Sequence, residues 1–181
     1  GQIKMKDLDK NGVLDDHDKV LLGSKDPAFL FGFNNTVRYK NFDLNIYLYG
    51  EVNALKGASY YDDWTTMGYG FTQGRNSSQG FKDTWRHDNQ HAKYANITGV
   101  GPDGAGDYFI KKISYLRCRN ITLGYTIPVS NKILNNIRVY ADVNNPFVLT
   151  NWTGLDPETD NGNSYAYPNV TSFSLGVDIT F

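Results

Sequence analysis

The sequence predicts an all-β fold in which about five antiparallel strands form part of a transmembrane β-barrel. Several segments alternate strictly between apolar and polar residues, as strands with one apolar and one polar face do. The composition agrees, because 13 Tyr and 10 Phe suit pleated surfaces and 18 Gly suit turns. Short and long connections also alternate along the chain, and this asymmetry is typical of transmembrane barrels.

Three strands are predicted in the C-terminal third of the chain. The clearest covers 173–181, where apolar residues at every second position are separated by polar or small ones, and Phe181 ends the chain. Segments 137–144 and 121–127 alternate in the same way. Each of these strands should therefore present one apolar and one polar face.

A β-bulge is predicted near Arg119. The apolar positions of the downstream segment begin at Ile121, whereas the apolar residues just upstream are Leu116 and Cys118, which have the opposite parity. A slip of one residue turns side chains to the other face, and a bulge is the usual way to accommodate it.

Two further strands, at 31–39 and 42–48, are predicted to form a hairpin. The connection between them is the dipeptide Lys40-Asn41, which leaves Tyr39 opposite Phe42 on the same face. Both segments alternate between apolar and polar residues, so the hairpin should extend the same kind of two-faced sheet.

The connections decide between two folds that share this alternation. In a soluble sandwich the apolar face would line a core, and in a membrane barrel it would meet lipid. Residues 40–41 and 128–136 are short connections, whereas 50–110 and 150–170 are long polar loops. This sorting favours the barrel, as do the terminal aromatic residue and the aromatic residues near predicted strand ends, which are Tyr39, Phe42, Tyr125 and Phe181.

Several function classes are disfavoured by composition. The net charge is -1 and the charges are mixed, so nothing indicates nucleic-acid binding. The single cysteine, Cys118, excludes an internal disulfide and a cysteine-based zinc site. No catalytic signature is present: His87 and His91 lie in loop-like sequence, and Asp62-Asp63 lacks a defined cleft. The chain is therefore predicted not to be an enzyme. Trp64, Trp85 and Trp152 either stack on sugar rings, pack against a partner protein or hold the long loops together.

An acidic segment near the start matches the calcium-loop pattern D-x-[DN]-x-[DN]-G. Alternate oxygen donors suit Ca²⁺, a hard cation that takes six to eight oxygen ligands, and Gly12 permits the sharp turn. The candidate ligands are the side chains of Asp7, Asp9, Asn11, Asp15 and Asp18 and the carbonyl of Val13. Asp18 stands where EF-hands carry a bidentate Glu, and because Asp is shorter, weaker Ca²⁺ binding, or Mg²⁺ in place of Ca²⁺, is the alternative for the ion. An Asp- and Asn-rich turn without an ion is the alternative; if bound, the ion would be structural.

Several ordered blocks resemble the C-terminal end of SusC/RagA-family TonB-dependent outer-membrane transporters of Bacteroidetes. The most distinctive block covers 114–125 and includes Arg119-Asn120-Ile121-Thr122-Leu123-Gly124-Tyr125. The other blocks, in chain order, are 1–18, 26–27, 31–36, 39–44, 138–140, 144–147, 154–158 and 167–168, followed by the final strand. Cys118 and Asn145 depart from the family pattern, in which aliphatic residues are usual. The likeness covers nearly the whole chain.

The resemblance implies a large plugged barrel of roughly 22 strands that imports oligosaccharides or peptides with energy from TonB. It further implies that a SusD-like surface lipoprotein caps the barrel, and that the plug and the remaining strands lie outside this sequence. The alternative function is a secreted, calcium-stabilised β-sandwich module that binds carbohydrate. Such a module should fold alone in buffer, whereas five barrel strands in lipid would leave unsatisfied backbone groups at their edges.

The resemblance also implies an orientation. With the C-terminus on the periplasmic side, residues 1–28, 50–110 and 150–170 become extracellular loops, and 40–41 and 128–136 become periplasmic turns. Residues 29–181 supply the barrel strands with their loops. By parity, one set of polar side chains should face the lumen and contact a plug or, less commonly, a substrate. That set is Arg38, Asp43, Asn45, Arg138, Asp142, Asn144 and Asp178.

Overall fold

The computed structural model describes residues 1, 3–57, 79–96, 107–129, 134–159 and 167–181. It contains five β-strands and two short 3₁₀ helices, which are Asp16–Asp18 and Gln79–Asp83. The strands are β1 (Phe29–Tyr39), β2 (Phe42–Lys56), β3 (Lys111–Ile127), β4 (Asn136–Thr150) and β5 (Ser172–Thr180). Within the described ranges, no helix has the length and apolar character needed to cross a membrane.

All five strands belong to one sheet, in the order β1-β2-β3-β4-β5. The paired strands are antiparallel, with Tyr39 opposite Phe42 at the hairpin and Ile137 opposite Ile179 near the end of the sheet. The predicted all-β class is confirmed, as is the two-residue turn at Lys40-Asn41. The sandwich alternative needs a second sheet, and the described residues contain none.

The strands on the long-loop side extend further than the alternation indicated. Residues 50–56 were expected to begin the long loop, but they continue β2, where Gly50 pairs with Phe31 and Val52 pairs with Phe29. The expectation was wrong because Gly50 leaves a gap in the apolar series, which Val52 and Ala54 resume at the same parity as Leu48. Asn53, at a polar position of the alternation, adopts a left-handed φ of 58°. The long connections of the described sheet therefore run over 57–110 and 151–171.

The predicted β-bulge is confirmed. Cys118 pairs with Phe147, whereas Asn120 pairs with Asn144, so β4 carries one more residue than β3 at this point. The extra residue is accommodated next to Asn145, whose φ of 49° lies in the left-handed region that Asn tolerates. Because Pro146 has no N–H, it is suited to a place where the ladder is interrupted.

The two faces of the sheet differ in chemistry. On β5 the apolar side chains are strongly exposed, with Leu175 87% and Phe173 77% accessible, and Phe181, which follows the strand, is 77% accessible. A contiguous apolar surface of this kind requires a covering medium, and lipid provides one for a barrel wall. A small buried cluster of Ala54, Ile113, Tyr115 and Trp152, against which Tyr49 and Val148 pack, lies at one end of the sheet.

The chain divides into two compact units. One consists of Gly1–Asp26, Leu55–Lys112 and Thr153–Tyr167, and it contains the acidic segment and the described parts of the long loops. The other consists of Pro27–Ala54, Ile113–Trp152 and Pro168–Phe181, and it contains most of the sheet.

Candidate functional site: the polar face and the acidic loop

A row of charged side chains crosses the polar face of the sheet. Arg138 on β4 binds Asp43 on β2 through two hydrogen bonds, Nε to Oδ1 at 3.0 Å and Nη2 to Oδ2 at 2.7 Å. Its Nη1 also donates to Oδ2 of Asp178 on β5 at 3.2 Å. The fork of a guanidinium matches a carboxylate in this bidentate geometry. A single side chain thus ties three strands together.

Because Gly124 has no side chain, Arg138 can extend across β3 to Asp43. Gly124 lies on β3, between the strands that carry Asp43 and Arg138. A Cβ atom there would stand 2.5 Å from Arg138 Nη2 and 2.5 Å from Asp43 Oδ1. Any larger residue would therefore occupy the space that the ion pair uses. The alternation of β3 does not distinguish Gly124 from the other polar-face positions, although a glycine inside a strand often marks such a close approach.

A second glycine accommodates an aromatic ring. Tyr140 on β4 is the register partner of Gly176 on β5, and a Cβ at Gly176 would overlap the tyrosine ring. The ring centroid of Tyr140 is also 5.0 Å from Arg138 Cζ, which is within cation–π range. The ring covers the glycine and supports the guanidinium from the side.

Further polar side chains bind one another beside this row. Asp142 accepts hydrogen bonds from Thr122 Oγ1 at 2.7 Å and from Asn144 Nδ2 at 2.7 Å, and Asn120 Nδ2 also donates to it. On the first hairpin, Asn45 Nδ2 donates to Thr36 Oγ1 at 2.8 Å. Six of the seven side chains expected at the lumen thus take part in polar contacts; Arg38 instead lines an open cavity.

The acidic loop brings three of its four predicted carboxylates together. Carboxylate oxygens of Asp7, Asp9 and Asp18 all lie within 4.8 Å of one another. Three like charges so close repel one another, and a divalent cation between them would offset that repulsion. The oxygen donors therefore fit Ca²⁺ in both chemistry and spacing.

Backbone N–H groups hold the carboxylates in place. Asp7 accepts from Lys10 N at 2.6 Å and from Gly12 N at 2.8 Å, which wraps the chain around its carboxylate. Lys10 and Gly12 have positive φ values of 62° and 85°, and these provide the turn. Asp18 accepts from Asp15 N at 3.0 Å and from Leu8 N at 2.6 Å. These backbone donors lower the pKa of Asp18 and so favour its charged form.

The other predicted ligands have different local contacts. Asp15 Oδ1 accepts from His17 N at 2.8 Å and caps the short helix Asp16–Asp18, so its side chain does not join the three converging carboxylates. The side chain of Asn11 accepts from Val13 N at 2.7 Å. Position 9 of calcium loops often contacts the ion through a water molecule, and Asp15 occupies that position.

The weaker candidates do not form a site in the described residues. His87 and His91 are both exposed in the turns of 79–96, and neither belongs to a group of metal-ligating side chains there. Trp85 contacts the ring of His87 edge-on at 5.4 Å, and Trp152 is buried in the cluster described above. Asp62-Asp63 and Trp64 lie outside the described residues.

Comparison with known proteins identifies the family of the chain. Over 180 residues the chain is 34% identical to the TonB-dependent receptor SusC of Bacteroides thetaiotaomicron, and the match includes 97% of this chain. The chain belongs to the SusC/RagA family of TonB-dependent receptors. TonB-dependent receptor P3 of Formosa agariphila is 29% identical over 97% of this SusC/RagA chain. Receptor P26 of the same organism is 27% identical over 100% of this chain. No protein-family model matches the chain.

Solved structures support the same fold for the SusC/RagA segment. A structure of the RagAB peptide importer in the closed-closed state matches 100% of the chain with a TM-score of 0.76 at 22% identity. A structure of the RagAB peptide transporter matches 89% of it with a TM-score of 0.72 at 21% identity. The chain spans only 17% of SusC and 20% of the closed-closed RagAB chain. It is a segment of a bacterial outer-membrane protein.

Proposed function

We propose that the chain forms part of the wall of a TonB-dependent transporter that imports oligosaccharides or peptides. The observation that carries this proposal is the sheet itself, with an exposed apolar face on one side and a hydrogen-bonded polar face on the other. A sheet of this kind suits lipid on one side and an aqueous lumen on the other. The 34% identity to SusC supports the same role.

The whole transporter would include parts beyond this segment. The family resemblance supports a plug inside the barrel, energy coupling through TonB and a SusD-like lipoprotein at the extracellular mouth. The two edge strands, β1 and β5, would be paired by other strands of the same barrel, because an open sheet edge in lipid leaves backbone groups without hydrogen bonds. Within this segment, the ion pairs of the polar face would keep the wall rigid while a transported molecule passes through the lumen.

Uptake measurements in the native bacterium test the transport proposal. A strain lacking the full-length gene should lose growth on one class of nutrient, either an oligosaccharide or a peptide mixture, and a strain lacking TonB should show the same loss. Restoring the gene should restore uptake. Unchanged growth on every oligosaccharide and peptide source would contradict an import role, although it would leave the outer-membrane location intact.

We also propose that the loop from Asp7 to Asp18 binds a structural calcium ion. The support is the approach of Asp7, Asp9 and Asp18 to within 4.8 Å, together with the left-handed turns at Lys10 and Gly12. Calcium would neutralise these carboxylates and hold the loop in its turn. Its ligands would come from these three side chains, from Asn11 and Val13, and from Asp15 through water.

Limited trypsin digestion of the full-length protein tests the calcium proposal. At a calcium concentration about ten times the Kd, cleavage after Lys10 should slow roughly ten-fold relative to digestion with chelator, because the bound loop must open first. The substitution Asp7→Asn should remove this protection, because the first position of the calcium-loop pattern accepts only Asp. Asp16→Asn is the matched control, since Asp16 binds Lys19 at 2.6 Å and lies outside the converging group. Equal cleavage with calcium and with chelator would contradict the proposal.

A further inference from the structure

Arg38 lies on the free edge of the sheet. It is on β1, which pairs with β2 alone among the described strands, and its register partner is Asp43. From this edge across the sheet, the charges alternate in sign: Arg38 on β1, Asp43 on β2, Arg138 on β4 and Asp178 on β5. In this row a charge on one strand is placed beside an opposite charge on another, which is the favourable arrangement in a sheet.

Arg38 is the member of this row without a direct partner among the described residues. Asp43 is the natural candidate, but Arg138 binds both of its carboxylate oxygens, at 3.0 and 2.7 Å. Arg138 in turn also binds Asp178. The row therefore ends on a cation that shares the charge of Asp43 with Arg138 and forms no ion pair of its own within the described part of the chain.

The surroundings of Arg38 favour an additional negative group. An open cavity of about 380 Å³ lies beside it, and its charged lining consists of Arg38, Lys40 and Arg138 against the single carboxylate of Asp43. The Nζ atom of Lys40 is 5.4 Å from the ring centroid of Tyr39, so it also contacts an aromatic side chain. The excess of positive charge around the cavity attracts an anion.

The alternation of β1 indicates on which side this anion lies. Val37 and Tyr39, the neighbours of Arg38, are both exposed on the apolar face, and successive side chains of a strand point to opposite faces. Arg38 is consequently on the polar face, away from lipid headgroups. A carboxylate of polypeptide origin fits this position better than a lipid phosphate does.

We propose that Arg38 pairs with an Asp or Glu on a further strand of the same polypeptide, antiparallel to β1 and hydrogen-bonded to its free edge. This inference rests on the proposed barrel. Neighbouring strands lie about 4.8 Å apart, so a side chain directly opposite Arg38 on the polar face is within reach of an ion pair. The new pair continues the alternating row by one strand.

Photo-crosslinking in the full-length protein, in native outer membrane, tests the pairing. A crosslinking amino acid is placed at position 38, at position 36 on the same face, and at position 37 as the matched control on the opposite face. We expect positions 38 and 36 to crosslink to one segment, at residues two apart and in reversed order, as an antiparallel neighbour requires. An Asp or Glu should lie at the site reached from position 38. Position 37 should crosslink to the residue between those two sites, because the same neighbouring strand faces it on the apolar side, whereas a partner inside the lumen would be captured from positions 36 and 38 alone.

Charge exchange provides a second measurement. Arg38→Glu should lower the ratio of folded to unfolded protein roughly five-fold, and replacing the identified acid by Arg in that background should restore it. Crosslinks from position 38 to a segment without an acid, to a segment without the reversed register, or to a separate protein would each overturn the proposal. Absence of the folded protein from the outer membrane would instead overturn the proposed function.

Discussion

Replacing Gly50 by Ala should destabilise the barrel by about 3 kcal/mol, at the upper end of what overpacking usually costs. A Cβ at this position would stand 2.6 Å from the backbone oxygen of Tyr115 on β3 and 2.5 Å from the ring of Phe31 on β1. A side chain could rotate away, but the backbone oxygen belongs to a strand of the sheet and can move only if β2 and β3 separate locally. The measurement is the temperature at which the full-length protein in detergent loses its folded electrophoretic band.

Gly32→Ala is the matched control for this prediction. Gly32 lies on β1, in the same hairpin, and a Cβ there would meet Tyr47 Oη at 3.5 Å, an ordinary contact. It should lower the transition temperature little, because Ala fits without displacing backbone. Equal effects of the two substitutions would show that the loss of glycine itself, and not the close approach of β3, determines the outcome.

Gly124→Ala and Arg138→Met should each cost about 2 kcal/mol, and together they should cost little more than either alone. The added methyl group occupies the path of the guanidinium, so it breaks the pair with Asp43 that Arg138→Met also removes. Two of the three atoms nearest to the added methyl group belong to Arg138, so once Arg138 is gone the nearest of the three that remains is the movable carboxylate of Asp43. Denaturation of all four proteins gives the coupling free energy directly.

Two controls sharpen this double-mutant cycle. Arg138→Lys keeps the charge but loses the planar fork, so it should fall between wild type and Arg138→Met. Arg86→Met removes an exposed pair with Asp88, at 3.6 Å and with side chains 51% and 81% accessible, and should have almost no effect. Additive losses for Gly124→Ala and Arg138→Met would mean that the glycine serves another purpose.

The strands could be predicted because their information is local. Period-two alternation located the segments around 31–39, 121–127 and 173–181 without any knowledge of their partners. The extension of β2 over 50–56 was missed because Gly50 interrupts the apolar series, and the pairing of Gly50 with Phe31 and of Val52 with Phe29 shows that the strand continues past it. The bulge was foreseen from parity in β3, but only the pairing reveals that the extra residue lies in β4.

The two candidate sites also differ in how local their residues are in the sequence. Asp7, Asp9 and Asp18 lie in one short segment, so their spacing already suggested that they converge. Asp43 and Arg138 are 95 residues apart, and their contact follows from the strand order and from the glycine between them. Parity could assign both residues to the polar face. It could not pair them, because the sequence of one strand does not show which residue of another strand it will face.

The bulge in β4 also determines where this strand can gain or lose a residue. Deleting one residue from the regular part of β4 shifts every later residue against its neighbours and turns its side chain over. Deleting Asn145 would leave Cys118 opposite Phe147 and Asn120 opposite Asn144, because β4 already has one residue in excess there. Single-residue insertions and deletions among homologues should therefore accumulate at this point of the strand and be rare on either side of it.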